Sequence, residues 1–176
     1  MIKPSQADPT TLEALGPSTP QDQIDRFLDG IDPAFRLGTP PGADQEPQSS
    51  NVALVHEVFH LIARGDFDAI AARLHEDALL EIDAPPWIPF IGSWRGREAV
   101  AAAVRRNFSM LEAQEPEVVS LSAQGDHVVL ILRERGRYIA EDFPYSVRCA
   151  QVITFADGLI RRIREIVVDE PPASPA

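Results

Sequence analysis

Apolar residues recur at helical spacing over Val52, Val55, Phe59 and Ile62, and the run stops at Arg64-Gly65-Asp66. Glycine there can close one helix and aspartate can cap the next, so a first helix is expected up to this break and a second through Phe67, Ile70 and Leu74. A short strand is predicted over 78–83, closed by Pro85-Pro86. An aromatic loop carrying Trp87, Ile88, Phe90 and Trp94 follows. A third helix is predicted over 97–111, with Val100, Val104, Phe108 and Leu111 on one side. Beyond it the period changes to two, which predicts antiparallel strands over 117–123, 127–139, 145–155 and 159–168. Helices first and a meander of strands afterwards is an α+β pattern, with the helices covering one face of a twisted sheet.

Residues 1–50 break the pattern. They hold eight prolines, eight acids and three bases, and few core-forming residues, so they are expected as an arm before a domain spanning 51–170. One island, Ile24, Phe27, Leu28 and Ile31, follows Thr19-Pro20 and predicts a short amphipathic helix near 20–31 that docks on the domain or on a partner chain. A disordered tail is expected over 171–176.

Charge and composition remove several function classes. The 176 residues carry 27 acids against 16 bases, a net charge of -11, and this field repels phosphate backbones and anionic lipid heads. Nucleic acid and membrane are therefore not expected as partners. No apolar run is long enough to span a bilayer and the first twenty residues lack the core of a secretory signal, so a cytoplasmic protein is expected. Cys149 is alone and cannot form an internal disulfide or a thiolate cluster. Lys3 is the single lysine, in the arm, which leaves Schiff-base chemistry without a nucleophile.

Three motifs, taken in order, carry a resemblance. Arg64-Gly65-Asp66-Phe67 is followed by Leu74 and Asp77-Ala78. Next comes the run from Phe90 to Val100 through Gly92-Ser93-Trp94-Arg95-Gly96, and then Phe155-Ala156-Asp157-Gly158-Leu159-Ile160 with Arg164-Glu165. Over about residues 52–170 the chain resembles the SnoaL-like branch of the NTF2-like superfamily. The resemblance implies an α+β cone of three N-terminal helices packed on a bent, mostly antiparallel sheet, with an apolar pocket open at one end. That family includes polyketide cyclases, ketosteroid isomerase, limonene epoxide hydrolase and scytalone dehydratase beside binding modules without chemistry, so the fold alone does not fix function.

Carried over position by position, the ketosteroid isomerase pattern places Val58 where that family has a helix-one tyrosine. It places Ile82 at the base position, with Asp83 one residue on, and Gln151 where the family has a buried aspartic acid. Asp83 reaches the pocket only if a bulge turns it inward. With Gln151 facing the pocket, Tyr145, Val147, Cys149, Ile153 and Phe155 share its face. On the last strand the same parity selects Ile163, Glu165 and Val167, and a carboxylate among aliphatic neighbours has a raised pKa suited to general acid or base work. Against this stands an ordinary pairing of Glu165 with a nearby arginine.

Trp87, Phe90 and Trp94 are candidates for a ligand rim or for ordinary packing on the third helix. Phe59, Phe108, Tyr145, Cys149 and Val167 complete the candidate ligand-binding set. Arg133, Arg135 and Arg137 alternate along one strand face and are read as solvated. His56-Glu57-Val58-Phe59-His60 matches the two-histidine zinc motif, but no third ligand is evident, and neither a metal nor a cofactor is expected. The favoured reading is a cofactor-independent isomerase, cyclase or dehydratase in which Asp83, Glu165 and Gln151 do the chemistry. A non-catalytic ligand-binding or dimerisation module is the alternative. The expected partners are a small apolar molecule, cyclic or polyketide-like, and a second copy of the chain.

Overall fold

The computed structural model describes residues 45–170, so the helix expected near 20–31 and the tail at 171–176 lie outside the described residues. Helix α1, Gln45–Ala63, starts upstream of the boundary expected at residue 51. It ends at Gly65, whose φ of +69° is the left-handed conformation that glycine adopts without penalty. There the Gly65 and Asp66 amides donate to the carbonyls of Ile62 and Leu61, both at 2.9 Å. Asp66 then caps α2, Phe67–Ala71, accepting from the Ala69 amide at 3.3 Å, as the sequence predicts.

The first strand, β1, covers Leu74–Asp83 and is longer than expected. The aromatic loop ends in a strand the sequence reading lacks: β2, Gly92–Arg95, which pairs antiparallel with β1, Leu80 opposite Trp94. Helix α3, Arg97–Phe108, is shorter than expected because Leu111 already belongs to β3, Leu111–Gln124. Strand β3 runs through Pro116. A proline is tolerated there because β3 lies at the edge of the sheet, where a missing N–H breaks no interior ladder. Strands β4, His127–Tyr138, β5, Phe143–Ala156, and β6, Leu159–Asp169, complete one six-stranded sheet in the order β2-β1-β6-β5-β4-β3. Only β1 and β6 pair in parallel. The result is an α+β fold with a mostly antiparallel sheet. Of its three described helices, α3 enters after two strands rather than before the sheet.

The helices and the inner face of the sheet enclose the core, in which Val55, Ile70, Leu74, Val100, Leu130 and Ile160 are buried. Asn51 on α1 donates to the Gly125 carbonyl at 3.3 Å, tying that helix to the β3–β4 turn. The outer face exposes Val129, Val152, Ile166 and Val168 among charged pairs such as Arg133–Glu117 and Arg162–Glu81. No described helix is long and apolar enough to cross a membrane.

Candidate functional site

Strand alternation decides which side chains reach the interior. On β5, Tyr145, Val147, Cys149, Gln151 and Ile153 point inward and line a cavity of about 130 Å³. Glu165 and Val167 of β6 line it beside them, and Phe59 of α1, Phe90 of the aromatic loop and Phe108 of α3 close the opposite side. Gln151 and Glu165 sit directly across from each other in the β5–β6 ladder, and the Gln151 amide donates to Glu165 Oε2 at 3.1 Å.

Burial among these apolar groups pushes the Glu165 carboxyl up from 4.5 to about 7, and the charge of Glu134 pushes in the same direction. The hydrogen bonds from Gln151 and the Cys149 thiol oppose the rise only in part. The Cys149 thiol is itself pushed far up, chiefly by burial and then by the charge of Glu165, so it is an inert neutral group at neutral pH.

Glu134 is the residue that sequence reasoning missed. It lies on β4 between Arg133 and Arg135, but the alternation that turns those arginines outward turns Glu134 inward, beside Leu132 and Tyr138. The outward reading of Arg133, Arg135 and Arg137 already contained this signal, since residues 132, 134, 136 and 138 must then face the core. Glu134 Oε1 accepts two hydrogen bonds, from the Tyr145 hydroxyl at 2.5 Å and from the Gln114 amide at 3.1 Å. Burial holds its carboxyl above the ordinary range, against the lowering effect of these two donors.

The Tyr145 ring reaches Glu134 by crossing its β4 neighbour Gly136. A Cβ at that position would stand 2.6 Å from the Tyr145 hydroxyl oxygen. Tyr138 packs on Tyr145 with ring centroids 5.2 Å apart. The helix-one position, Val58, is an apolar part of the same lining.

Three expected site residues lie elsewhere. Asp83 is exposed on the outer face, with a carboxylate oxygen 3.7 Å from Arg164. The β1–β6 register runs without interruption from Ile82 opposite Glu165 to Asp83 opposite Ile166, so no bulge turns Asp83 inward and Ile82 takes the cavity side. Asp83→Asn is accordingly expected to leave stability within about 0.5 kcal/mol of wild type, measured by urea denaturation.

Trp87 stands behind the wall rather than in it. Its ring meets Tyr138 edge-on at 5.8 Å and Phe143 at 6.0 Å, and its indole N–H donates to Asp169 at 3.4 Å. Trp94 is carried by β2 away from the cavity, where the Arg106 guanidinium covers its ring at 5.5 Å. The zinc-like motif lies on α1, and its Glu57 is committed to Arg73 at 2.5 Å. Among the described residues no three or more His, Cys, Asp or Glu side chains come together in a group that could hold a metal ion.

The order of elements and the walled cavity are those of a known family, and the SnoaL-like domain matches residues 55–163. The chain belongs to that family. An NTF2-like protein from Burkholderia xenovorans LB400 has a similar structure, with a TM-score of 0.59 and 26% identity, the match covering 69% of this chain and 91% of that one. A protein from Jannaschia sp. CCS1 named as a SnoaL-like polyketide cyclase shares the fold at TM-score 0.60 and 17% identity, over 74% of this chain and 91% of its own. An LEH-like epoxide hydrolase from M. tuberculosis shares it at TM-score 0.55 and 18% identity, over 69% and 84%. A search of curated proteins finds no match. Within this SnoaL-like domain the cavity places Glu134, Gln151 and Glu165 together, and these side chains distinguish it from an ordinary apolar core.

Proposed function

We propose that this SnoaL-like protein catalyses a cofactor-independent proton transfer, an isomerisation, cyclisation or dehydration, on a small apolar molecule held in the cavity. The observation that carries this reading is Glu165: a carboxyl in an apolar cavity, with a pKa of about 7 and its orientation fixed by Gln151. A group poised there is divided between its acid and base forms at neutral pH, which suits it to take a proton from one substrate atom and return it to another. Gln151 cannot act as the acid that relatives use at that position. Its amide instead donates to Glu165 Oε2 and orients the carboxyl in the cavity.

The cavity is close in size to an engineered apolar cavity of about 150 Å³ that accepts benzene. The enclosed part of the substrate is therefore of single-ring size, and a larger polyketide-like molecule would have to protrude through the mouth. A polyketide cyclase and an epoxide hydrolase share this fold, so the fold alone does not fix the reaction, and the activity proposed here rests on Glu165.

Cyclohexanone in D₂O tests the reading without knowledge of the natural substrate, because exchange of the hydrogens beside its carbonyl is followed directly by NMR. Saturable exchange is expected, rising with pH to a plateau with a midpoint near 7 as Glu165 ionises. Binding without any exchange, for cyclohexanone and for a panel of cyclic ketones alike, would show a ligand-binding module instead.

A further inference from the structure

We infer that the end of the cavity formed by Asn107, Glu134, Tyr138 and Tyr145 binds a protonated amine, so that the substrate is a single apolar ring carrying one ammonium group. The inference rests on the proton-transfer reading of Glu165 and adds the site by which the substrate is held and turned.

Asn107 is the residue that asks for a ligand. It lies in the last turn of α3, it is only 6% exposed and lines the cavity, and its Oδ1 is buried without a hydrogen-bond partner. A buried amide oxygen left without a donor is costly, and a ligand N–H relieves it. The chain brings this amide to the Glu134 end: directly after α3 it enters β3 at Leu111, opposite Tyr138, and Gln114 of that strand donates to Glu134.

The rest of that end is acidic and aromatic. Phe90 packs on Tyr138 with ring centroids 6.3 Å apart and Tyr138 on Tyr145 at 5.2 Å, and a carboxylate with ring faces around it is what holds an ammonium out of water. The described lining residues include the carboxyls of Glu134 and Glu165 and no lysine, arginine or histidine, while Tyr138, Tyr145 and Cys149 are neutral. The charge of Glu134 thus meets no counter-charge in the cavity wall, and it is one cause of the raised Glu165. An incoming cation supplies that counter-charge and keeps Glu134 ionised. The cavity's own donors are largely spent, the Tyr145 hydroxyl and the Gln114 amide on Glu134, the Gln151 amide and the Cys149 thiol on Glu165. An ammonium, which brings donors of its own, suits what is left.

The register separates holding from chemistry. Glu134 stands opposite Val147 of β5 and Glu165 opposite Gln151 farther along the same strand, with Cys149 between them and raised by both charges. A ring in this interval turns its ammonium to Glu134 and a carbon to Glu165. Its fixed positive charge then favours the negative charge that develops as Glu165 removes a proton.

Cyclohexylammonium and cyclohexanone differ in charge and in donors but little in size, and titration calorimetry of the full chain at neutral pH compares them. Cyclohexylammonium is expected to bind roughly 10-fold tighter in wild type. That ratio is expected to fall to about 1 in Glu134→Gln and to drop roughly 5- to 10-fold in Asn107→Leu, while Glu165→Gln still prefers the ammonium. 4-Aminocyclohexanone carries both groups. It is expected to exchange the hydrogens beside its carbonyl with a KM roughly 10-fold below that of cyclohexanone, an advantage lost in Glu134→Gln.

Equal or weaker binding of cyclohexylammonium than of cyclohexanone in wild type overturns the inference, and this comparison needs no variant to fold. Cyclohexanecarboxylate binding as tightly as cyclohexylammonium overturns it too. So does a preference for the ammonium that persists in both Glu134→Gln and Asn107→Leu, which would place the amine elsewhere. A preference for the ammonium that depends on Glu134, with no hydrogen exchange from either ketone, overturns the proton-transfer reading and leaves the ammonium site standing. Exchange from cyclohexanone without that preference does the reverse.

Discussion

Glu165→Gln is expected to resist urea better than wild type above pH 7 while exchanging ketone hydrogens roughly 10²- to 10⁴-fold more slowly, the range general acid–base catalysis supplies. Both effects follow from one pKa. In the unfolded chain the carboxyl loses its proton near 4.5, and in the native cavity only at about 7. Between those values the native state binds more protons than the unfolded state, so stability falls as pH rises through that window, and the full penalty is present above 7. Glutamine never ionises and escapes it. The two stability curves should therefore coincide below pH 4.5 and separate to on the order of 3 kcal/mol at pH 8.

Tyr138, Tyr145 and Cys149 are all raised and stay neutral throughout. Glu134 adds a slope of the same sign, and because its charge is part of what raises Glu165 the two carboxyls titrate as a pair, so the difference between the curves reports on both. Glu57 and Glu170, held low by arginines against some loss of solvation, contribute the opposite slope at acidic pH in both proteins. Parallel curves at pH 4, 6 and 8 would show that Glu165 is not desolvated in the native state, and the catalytic proposal would lose its base.

The second large effect is expected at Gly136. An added Cβ would stand 2.6, 2.8 and 2.9 Å from the hydroxyl oxygen, Cζ and Cε1 of Tyr145, all shorter than real contacts, and Tyr145 is itself buried against Tyr138. Gly136→Ala is expected to cost about 1–3 kcal/mol in urea denaturation, the usual range for overpacking. The displaced ring also withdraws its hydrogen bond from Glu134. The penalty should shrink in a Tyr145→Phe background, where the nearest of the three atoms is gone, a non-additivity expected of residues in contact. Full additivity of the two changes would mean that the ring does not depend on the space above Gly136.

How far the sequence discloses this molecule varies with the kind of pattern involved. The inward face of β5 is legible because a central strand buried on one side must alternate, and Tyr145, Cys149 and Gln151 fall where that period puts them. Glu165 is legible for the same reason once the last strand is in register with β5. Glu134 escapes because a carboxylate flanked by arginines reads as their ion partner, and only the two-sidedness of β4 separates them: Arg133 pairs with Glu117 and Glu170 outside, while Glu134 meets Tyr145 and Gln114 inside. Asp83 misleads because a carboxylate beside a double proline suggests a bulge, whereas β1 stays in step with β6 to its end. Trp94 misleads because β2 is four residues long, too short for its alternation to show against the aromatic loop.

The two free margins of the sheet differ in a way that bears on how the protein behaves when crowded. A strand margin offers backbone donors and acceptors to any passing chain, and long flat margins seed fibres. Strand β3 is long enough to do so, but Pro116 deletes a donor midway along it, and the register slips between Glu112 and Glu115 and between Val118 and Ser120 break its straightness. Strand β2 is too brief to hold a visitor in register. Growth by strand addition is thus obstructed at both ends, and replacing Pro116 by threonine would open the longer one to polymerisation at high concentration.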